Sequence, residues 1–208
     1  MKYMPVLTDK QIEDNHKLFN ERRTLYKEKG LDFLKNREFI FERVRPLKGN
    51  ILDIGSGKGI MALSLARAGY SFTSVDNNEE MLKITALNLA YENLLSQAEL
   101  HVMDAYSLEF KENSFDNVFM IEALHHMDDV ERIFSEIDRV LRKNGQIILA
   151  DFNKEGLRIV DHIHEREGHK HKTSFVGKNE ADSCLARNRY GIEKYEDKCH
   201  WILIAEKR

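Results

Sequence analysis

The sequence predicts an α/β fold: a doubly wound, mostly parallel seven-stranded sheet with an antiparallel hairpin at its C-terminal end and a helical cover at its N-terminal end. Three observations carry this. Between residues 50 and 152, short β-rich runs alternate strictly with stretches of helical period. Those runs are almost continuously apolar, as strands buried on both faces must be. A glycine-rich loop follows the first of them, at the strand end where such sheets take ligands.

The elements follow in order. Residues 8–29 read as a charged helix with sparse apolar punctuation, opened by a capping box at Thr8 and Gln11 and stopped by Gly30. A second helix runs through Leu34, Ile40, Phe41 and Val44 and ends before Pro46, whose ring disfavours helical backbone in the residue before it. Residues 50–54 form a strand, and a helix through Ile60, Leu63 and Ala66 stops at Gly69. Residues 71–75 form the next strand, Asn78 caps a helix through Met81, Leu82, Leu89 and Leu94, and residues 99–103 are the third strand. Residues 115–121 are the fourth. Val130, Ile133, Phe134, Ile137, Val140 and Leu141 then recur at helical spacing up to Gly145, before a fifth strand at 146–152. Beyond it, 154–167 and 179–189 read as helices around a polar loop, and 191–197 pairs with 200–205 as a hairpin. We read residues 1–208 as one domain: a helical cover (1–47), a binding core (48–152) and a substrate-side loop, helix and terminal strands (153–208).

Composition narrows the function. A net charge of -3, from 32 basic and 35 acidic residues, gives no global basic field for nucleic acid or an anionic membrane. Cys184 and Cys199 form no CxxC pair and are too few for a disulfide scaffold, which points to a reducing, cytoplasmic setting. The first residues, MKYMPVLTDKQ, contain no apolar run of signal-peptide type, and the longest apolar runs are strand-length.

The loop Asp53-Ile54-Gly55-Ser56-Gly57-Lys58-Gly59 is the most informative stretch. Its glycines let the backbone turn off a strand and approach a ligand where a Cβ would collide. It is not a phosphate-cradling Walker loop, because Lys58 is followed by Gly59 and the spacing is wrong. The dinucleotide fingerprint would need glycine at position 60, which is Ile60, so a nicotinamide-dependent oxidoreductase is disfavoured. The spacing GxGxG, with Asp53 two residues before it, resembles motif I of the class I S-adenosylmethionine-dependent methyltransferases.

The resemblance extends over about residues 48–152. Asp76 closes the second strand, where a carboxylate can accept hydrogen bonds from both hydroxyls of a ribose. Asp104, in Val102-Met103-Asp104-Ala105, matches the family position that receives the adenine amino group. Phe115-Asp116-Asn117-Val118-Phe119, Glu122-Ala123-Leu124-His125-His126-Met127 and Arg139-Val140-Leu141-Arg142-Lys143-Asn144-Gly145-Gln146 are similar to the small-molecule, ubiquinone/menaquinone-type (methyltransferase type 11) branch. The resemblance implies a Rossmann-like fold, S-adenosyl-L-methionine as cofactor and S-adenosyl-L-homocysteine as product. It also implies a cofactor site drawn from Asp53, Ile54, Gly55, Ser56, Gly57, Asp76, Asn77, Met81, Asp104, Ala105, Glu122 and His126. Plainer readings stand beside these: Asp53 as a cap on the loop's amides, Asp76 as a helix cap, Asp104 as a loop-start residue, Met81 as helix packing and Lys58 as a solvated cation.

The chemistry such a fold permits needs orientation of the acceptor and, for many acceptors, removal of a proton. His125 and His126 are the candidate bases; each could equally pack near the cofactor, and Glu122 could cap its loop. Tyr26, in the helical cover, would help close the cleft. Four of the nine histidines cluster at His162, His164, His169 and His171. We expect His162, His164 and His169 to line the acceptor pocket, following the fifth strand. A metal held by His164, Glu165, His169 and His171 is the weaker reading, since the spacing is not HExxH and a solvated polar loop explains the composition; no metal is expected. Base-methylating relatives carry an Asp/Asn-Pro-Pro-aromatic loop after the fourth strand, and Ile121-Glu122-Ala123-Leu124 has no proline. The expected partner is therefore a small-molecule acceptor, with neither nucleic acid nor membrane. The alternative is a protein that binds S-adenosylmethionine or a metal as a sensor, without turnover.

Overall fold

The computed structural model describes residues 2–44, 46–168, 173 and 176–208. Helix α1 (Asp9–Glu28) opens on the expected capping box: Gln11 N donates to Thr8 Oγ1 at 3.3 Å, and Thr8 N donates to Gln11 Oε1 at 3.0 Å. Helix α2 (Phe33–Phe41) is capped by Asp32, which accepts from Leu34 N and Lys35 N. It stops earlier than the proline rule suggests, because its last turn loosens: Arg43 N and Val44 N both donate to Ile40 O.

The core follows as β1 (Ile51–Ile54), α3 (Ile60–Arg67), β2 (Phe72–Asp76), α4 (Glu79–Tyr91), β3 (Ala98–Val102), β4 (Phe115–Ile121), α5 (Val130–Val140) and β5 (Leu141–Phe152). After it come α6 (Lys154–Arg166), α7 (Lys178–Arg187), β6 (Gly191–Glu196) and β7 (His200–Glu206). The seven strands lie in the order β3-β2-β1-β4-β5-β7-β6. The first five pair in parallel, while β7 runs antiparallel to both β5 and β6. One boundary differs from the periodicity. Strand β5 starts at Leu141, directly out of α5, because Leu141 already pairs with Phe115; pairing then skips to Asn117 and Gln146. The intervening residues are pinned by Lys207, whose N donates to Gly145 O at 2.9 Å and whose O accepts from Asn144 N at 3.0 Å.

Alternation along the strands sorts the core into two faces. Leu52, Ile54, Val118, Met120, Ile147 and Leu149 pack with Ile133, Phe134, Ile137 and Val140 of α5 and with α7. Ile51, Phe119, Ile121, Ile148 and Ala150 pack with α3 and with Ile40 of α2. Each of these fully buried aliphatic side chains contributes roughly 1.5 to 3 kcal/mol of transfer free energy. The chain leaves β1 towards β2 on one side and resumes at β4 on the other, so the order reverses between β1 and β4, and the loops after those two strands face one cleft. No helix among the described residues is long and apolar enough to cross a membrane.

Candidate active site

The loop after β1 is held in place from β2 and α4. Gly55 N and Ser56 N donate to Val75 O at 2.8 and 3.1 Å, and Gly57 N donates to Asp76 Oδ2 at 2.9 Å. From α4, Thr85 Oγ1 donates to Gly57 O at 3.0 Å and Asn88 Nδ2 to Lys58 O at 2.8 Å. Two glycines are required. Gly55 has φ +75°, and a Cβ there would stand 2.7 Å from Ala123 Cβ on the loop after β4. Gly59 has φ +78°, and its Cβ would meet the backbone of Thr85 at 2.9 Å.

Above this loop opens a cavity of about 800 Å³. Gly55, Ser56, Gly57 and Met81 line its floor, Glu122, His125 and His126 line one wall, and Tyr26 and His164 face it from α1 and α6. Asp53 and Ile54 are buried immediately beneath. Ser74 Oγ donates to Asp53 Oδ2 at 2.7 Å, and burial pushes the Asp53 carboxyl up to about 6 against the pull of that bond and of Arg37. Asp76 is half-buried at the end of β2. Its two oxygens accept from Gly57 N and Asn78 N, and burial raises its pKa above the ordinary carboxylate value despite those amides. Asn77 is exposed at the same strand end. Asp104 is also exposed and accepts from Tyr106 N at 2.9 Å, the local geometry of a loop-start aspartate, while Ala105 packs on the core.

The wall beyond the loop after β4 is a closed ring of buried polar groups. Arg37 Nη1 donates to Glu122 Oε1 at 2.7 Å and to Asn36 Oδ1. His200 Nε2 donates to the same Glu122 oxygen at 2.9 Å, and His200 Nδ1 to Asp197 Oδ1 at 3.1 Å. Asn36 Nδ2 closes the ring on Asp197 Oδ2 at 2.6 Å. With a carboxylate oxygen at each ring nitrogen, both nitrogens of His200 carry protons and the ring is an imidazolium. Burial alone would raise the Glu122 carboxyl, but the Arg37 cation and the His200 hydrogen bond hold it down at about 2. Burial alone would lower the His200 pKa; its bonds to Asp197 and Glu122 raise it above the ordinary histidine value.

His125 and His126 separate in their surroundings. The His125 ring is buried, and its Nδ1 lies 2.6 Å from Asp151 Oδ1, while its backbone N donates to Asp151 Oδ2 at 2.9 Å. A carboxylate oxygen at Nδ1 places the proton there and leaves Nε2 as the basic nitrogen. The ring lies 5.4 Å from Phe152 and 3.9 Å from that of His126, which is exposed.

On the substrate side, α6 sends its two histidines in different directions. His164 is half-buried on the cavity, whereas His162 lies roughly 200° away around the helix and is exposed, away from the cavity lining. Glu165 is exposed as well, and His169 and His171 lie outside the described residues. Among the described residues, no group of three or more His, Cys, Asp or Glu side chains is placed to hold a metal ion. Lys58 departs from the expectation of a solvated cation: it is half-buried on the cavity wall, where burial and the neighbouring Arg22 bring its ammonium down to about 8.

Four contributors are absent from the motifs. Arg37, Asp197 and His200 sit in elements whose sequence signals packing alone. Asp151 carries the signal that singles out Asp76, an acid at the carboxyl end of a parallel strand, and that signal was open to use. The cavity also holds unmet polar groups: among the described residues, Ser56 Oγ and Arg37 Nε are buried on its lining without a hydrogen-bond partner. A glycine-floored pocket with a spare hydroxyl, a spare guanidinium N–H and the Glu122 carboxylate on its lining, and with Asp76 at the neighbouring strand end, suits a zwitterionic nucleoside ligand such as S-adenosylmethionine.

Comparisons with known proteins agree with this geometry. A family described as "Methyltransferase domain" matches residues 52–149. The ubiquinone/menaquinone biosynthesis C-methyltransferase UbiE of Rickettsia bellii is 32% identical over 149 residues, 69% of this chain and 58% of the relative. The chain thus spans 58% of the length of that curated relative. In fold, the chain matches a SAM-dependent methyltransferase from Methanosarcina mazei (TM-score 0.64, 24% identity, 81% of this chain and 96% of the other). It also matches phosphoethanolamine N-methyltransferase 2 of Haemonchus contortus, solved with S-adenosyl-L-methionine (TM-score 0.65, 19% identity, 83% and 52%). By its motifs, sheet order and these matches, the chain belongs to the class I S-adenosylmethionine-dependent methyltransferases.

Proposed function

We propose that this protein transfers the methyl group of S-adenosylmethionine to a small-molecule acceptor. One observation carries the reading: His125, paired with the buried Asp151, lines the same cavity as the glycine loop, so a candidate base and a cofactor floor share one cavity. When bound, the cofactor supplies a methyl group already activated on a sulfonium sulfur, which keeps the electron pair of the broken carbon–sulfur bond and becomes a thioether.

The residues of this chain do the rest. Asp76 would accept from ribose hydroxyls at the end of β2, Met81 would pack along the base, and Ser56 Oγ and the spare Arg37 N–H would answer the polar amino-acid end. Asn77, Asp104 and Ala105 would form the outer edge of that site. His125 Nε2 would take the proton from the acceptor atom as its lone pair bonds to the methyl carbon, and Asp151 would hold the imidazole in the tautomer that can do so. Tyr26 and His164 would face the acceptor. His126 would lie beside the cofactor as a wall, with His125 as the base. The chain would act as one unit in a reducing compartment, in keeping with two buried, unbridged cysteines.

The test is ligand-induced stabilisation. At about 100 times its dissociation constant, S-adenosylhomocysteine adds about 2.7 kcal/mol, which raises the melting temperature by about 5 to 10 °C in a chain of this size. NAD and ATP should give no shift, and Asp76→Ala should abolish most of the S-adenosylhomocysteine shift. Transfer of label from methyl-tritiated S-adenosylmethionine into the small-molecule fraction of a cell extract then reads turnover directly. No S-adenosylhomocysteine shift at saturation would sink the proposal.

A further inference from the structure

The cavity has two cationic poles with different neighbours. Arg37 lies against Glu122 and within electrostatic reach of Asp53, beside the glycine loop. Lys58, on the glycine loop itself, has a different set of charged neighbours, Arg22 of α1 and Glu167 just beyond α6. Arg22 Nη1 donates to Glu167 Oε1 at 2.7 Å, so those two charges answer each other. The Lys58 ammonium has no ion-pair partner among the described residues, and this pole carries one positive charge in excess: two cations, Lys58 and Arg22, against one carboxylate. Arg23 and Glu21, also on the lining, offset each other in sign. The cavity also has an apolar cluster on its lining, built from Tyr26, Phe33, Phe152 and Val160. A half-buried ammonium has given up part of its hydration without gaining an ion pair of its own among the described residues, and a bound anion restores what it has lost. Near neutral pH the group remains mostly charged, since its ammonium is lowered only to about 8.

We propose that the acceptor is a small anion: a molecule with an apolar body lying against Tyr26, Phe33 and Phe152, and a carboxylate or phosphate group paired with Lys58. This rests on the methyltransferase reading and adds the acceptor's charge to it. The cofactor's own carboxylate is assigned to the Arg37 pole, where the unpartnered Nε lies.

The experiment uses the full chain saturated with S-adenosylhomocysteine, titrated calorimetrically at fixed ionic strength with phenyl phosphate, benzoate and the neutral benzyl alcohol. At least one anion should bind more tightly than the alcohol, and the anion that binds better identifies the charged group. Lys58→Met should weaken that anion about tenfold or more, with Lys58→Arg keeping most of the affinity, as loss of a charge-assisted hydrogen bond predicts. S-adenosylhomocysteine affinity should stay within about twofold in both variants, well under the tenfold that 1.4 kcal/mol represents. The proposal is overturned if neither anion outbinds benzyl alcohol, or if Lys58→Met binds the anion as the wild type does. It is equally overturned if that variant loses S-adenosylhomocysteine and anion affinity alike, which would assign Lys58 to the cofactor. Failure of the wild type to bind S-adenosylhomocysteine at all, read in its own titration, would instead remove the methyltransferase reading.

Discussion

At the scale of single residues, Asp151 shows how burial and direction divide two neighbouring histidines. Its carboxylate is 2% exposed and receives three donors: His125 Nδ1, His125 N and Phe152 N. A side chain gripped this way cannot reach a ligand itself, but it fixes which nitrogen of His125 is basic. Asp151→Asn can keep a contact to Nδ1 only by offering its carbonyl oxygen, and it loses the charge that stabilises the imidazolium as the proton arrives. With the acceptor found by label transfer, turnover should fall about 100-fold or more while S-adenosylhomocysteine affinity is unchanged. Unaltered kcat would show that His125 packs and does no proton chemistry. The double histidine was legible in the sequence as a pair of candidates. The choice between them was not, because it depends on an acid 26 residues away that only the pairing of β4 with β5 brings alongside.

At the scale of elements, the ring of Asn36, Arg37, Glu122, His200 and Asp197 fastens helix α2 and the β6–β7 turn to the end of β4. Arg37 and Glu122 are 85 residues apart and His200 and Glu122 are 78 apart, so no local pattern announces the ring. What the sequence does announce is the strand alternation. Continuous apolar runs dictated the parallel sheet, the capping box dictated α1, and the glycine spacing dictated the loop. The early start of β5 escaped because Leu141 satisfies the α5 period and the strand pairing at once. The ring has a pH consequence. His200 is protonated more readily folded than unfolded, so its contribution to stability is complete below the unfolded value of about 6.5 and is lost as pH rises through its higher folded value. Glu122 acts oppositely: its contribution is present above about 4.5 and is lost only as pH falls towards about 2. Denaturant titrations of the wild type should show stability declining on the alkaline side of neutrality. His200→Gln should be less stable at pH 6 by about 3 kcal/mol, the cost of breaking a buried pair, and should lose that decline. A variant with the wild-type pH profile would show that the ring is not charged as described.

At the scale of the whole molecule, the cavity is roofed by two elements from opposite ends of the chain, α1 and α6, over a floor supplied by the core. A ligand on the glycine loop lies beneath residues of both, Tyr26 and His164. One side-chain bond that joins the two elements at the rim, among the described residues, is Arg22 to Glu167, with both partners near 30% exposed (30% and 28%). A pair so wet contributes little to folding, about 0 to 1 kcal/mol, because solvent screens it and two long side chains must be ordered. Its effect on any parting of α1 from α6 would be different in kind, since such a movement would break the pair while leaving the core packed. Glu167→Gln should therefore leave the melting temperature within about 2 °C of the wild type yet speed S-adenosylhomocysteine dissociation by about two- to fivefold, the factor that 0.5 to 1 kcal/mol of lost closure predicts. Stopped-flow displacement of the bound product reads that rate. A dissociation rate equal to the wild type's would mean that the roof stays shut through its apolar contacts, Tyr26 and Leu31 against Ile159, Val160 and Ile163, and that the ion pair is ornamental. A large drop in melting temperature would mean that α1 is part of the cooperative fold at this contact and does not swing as a cover.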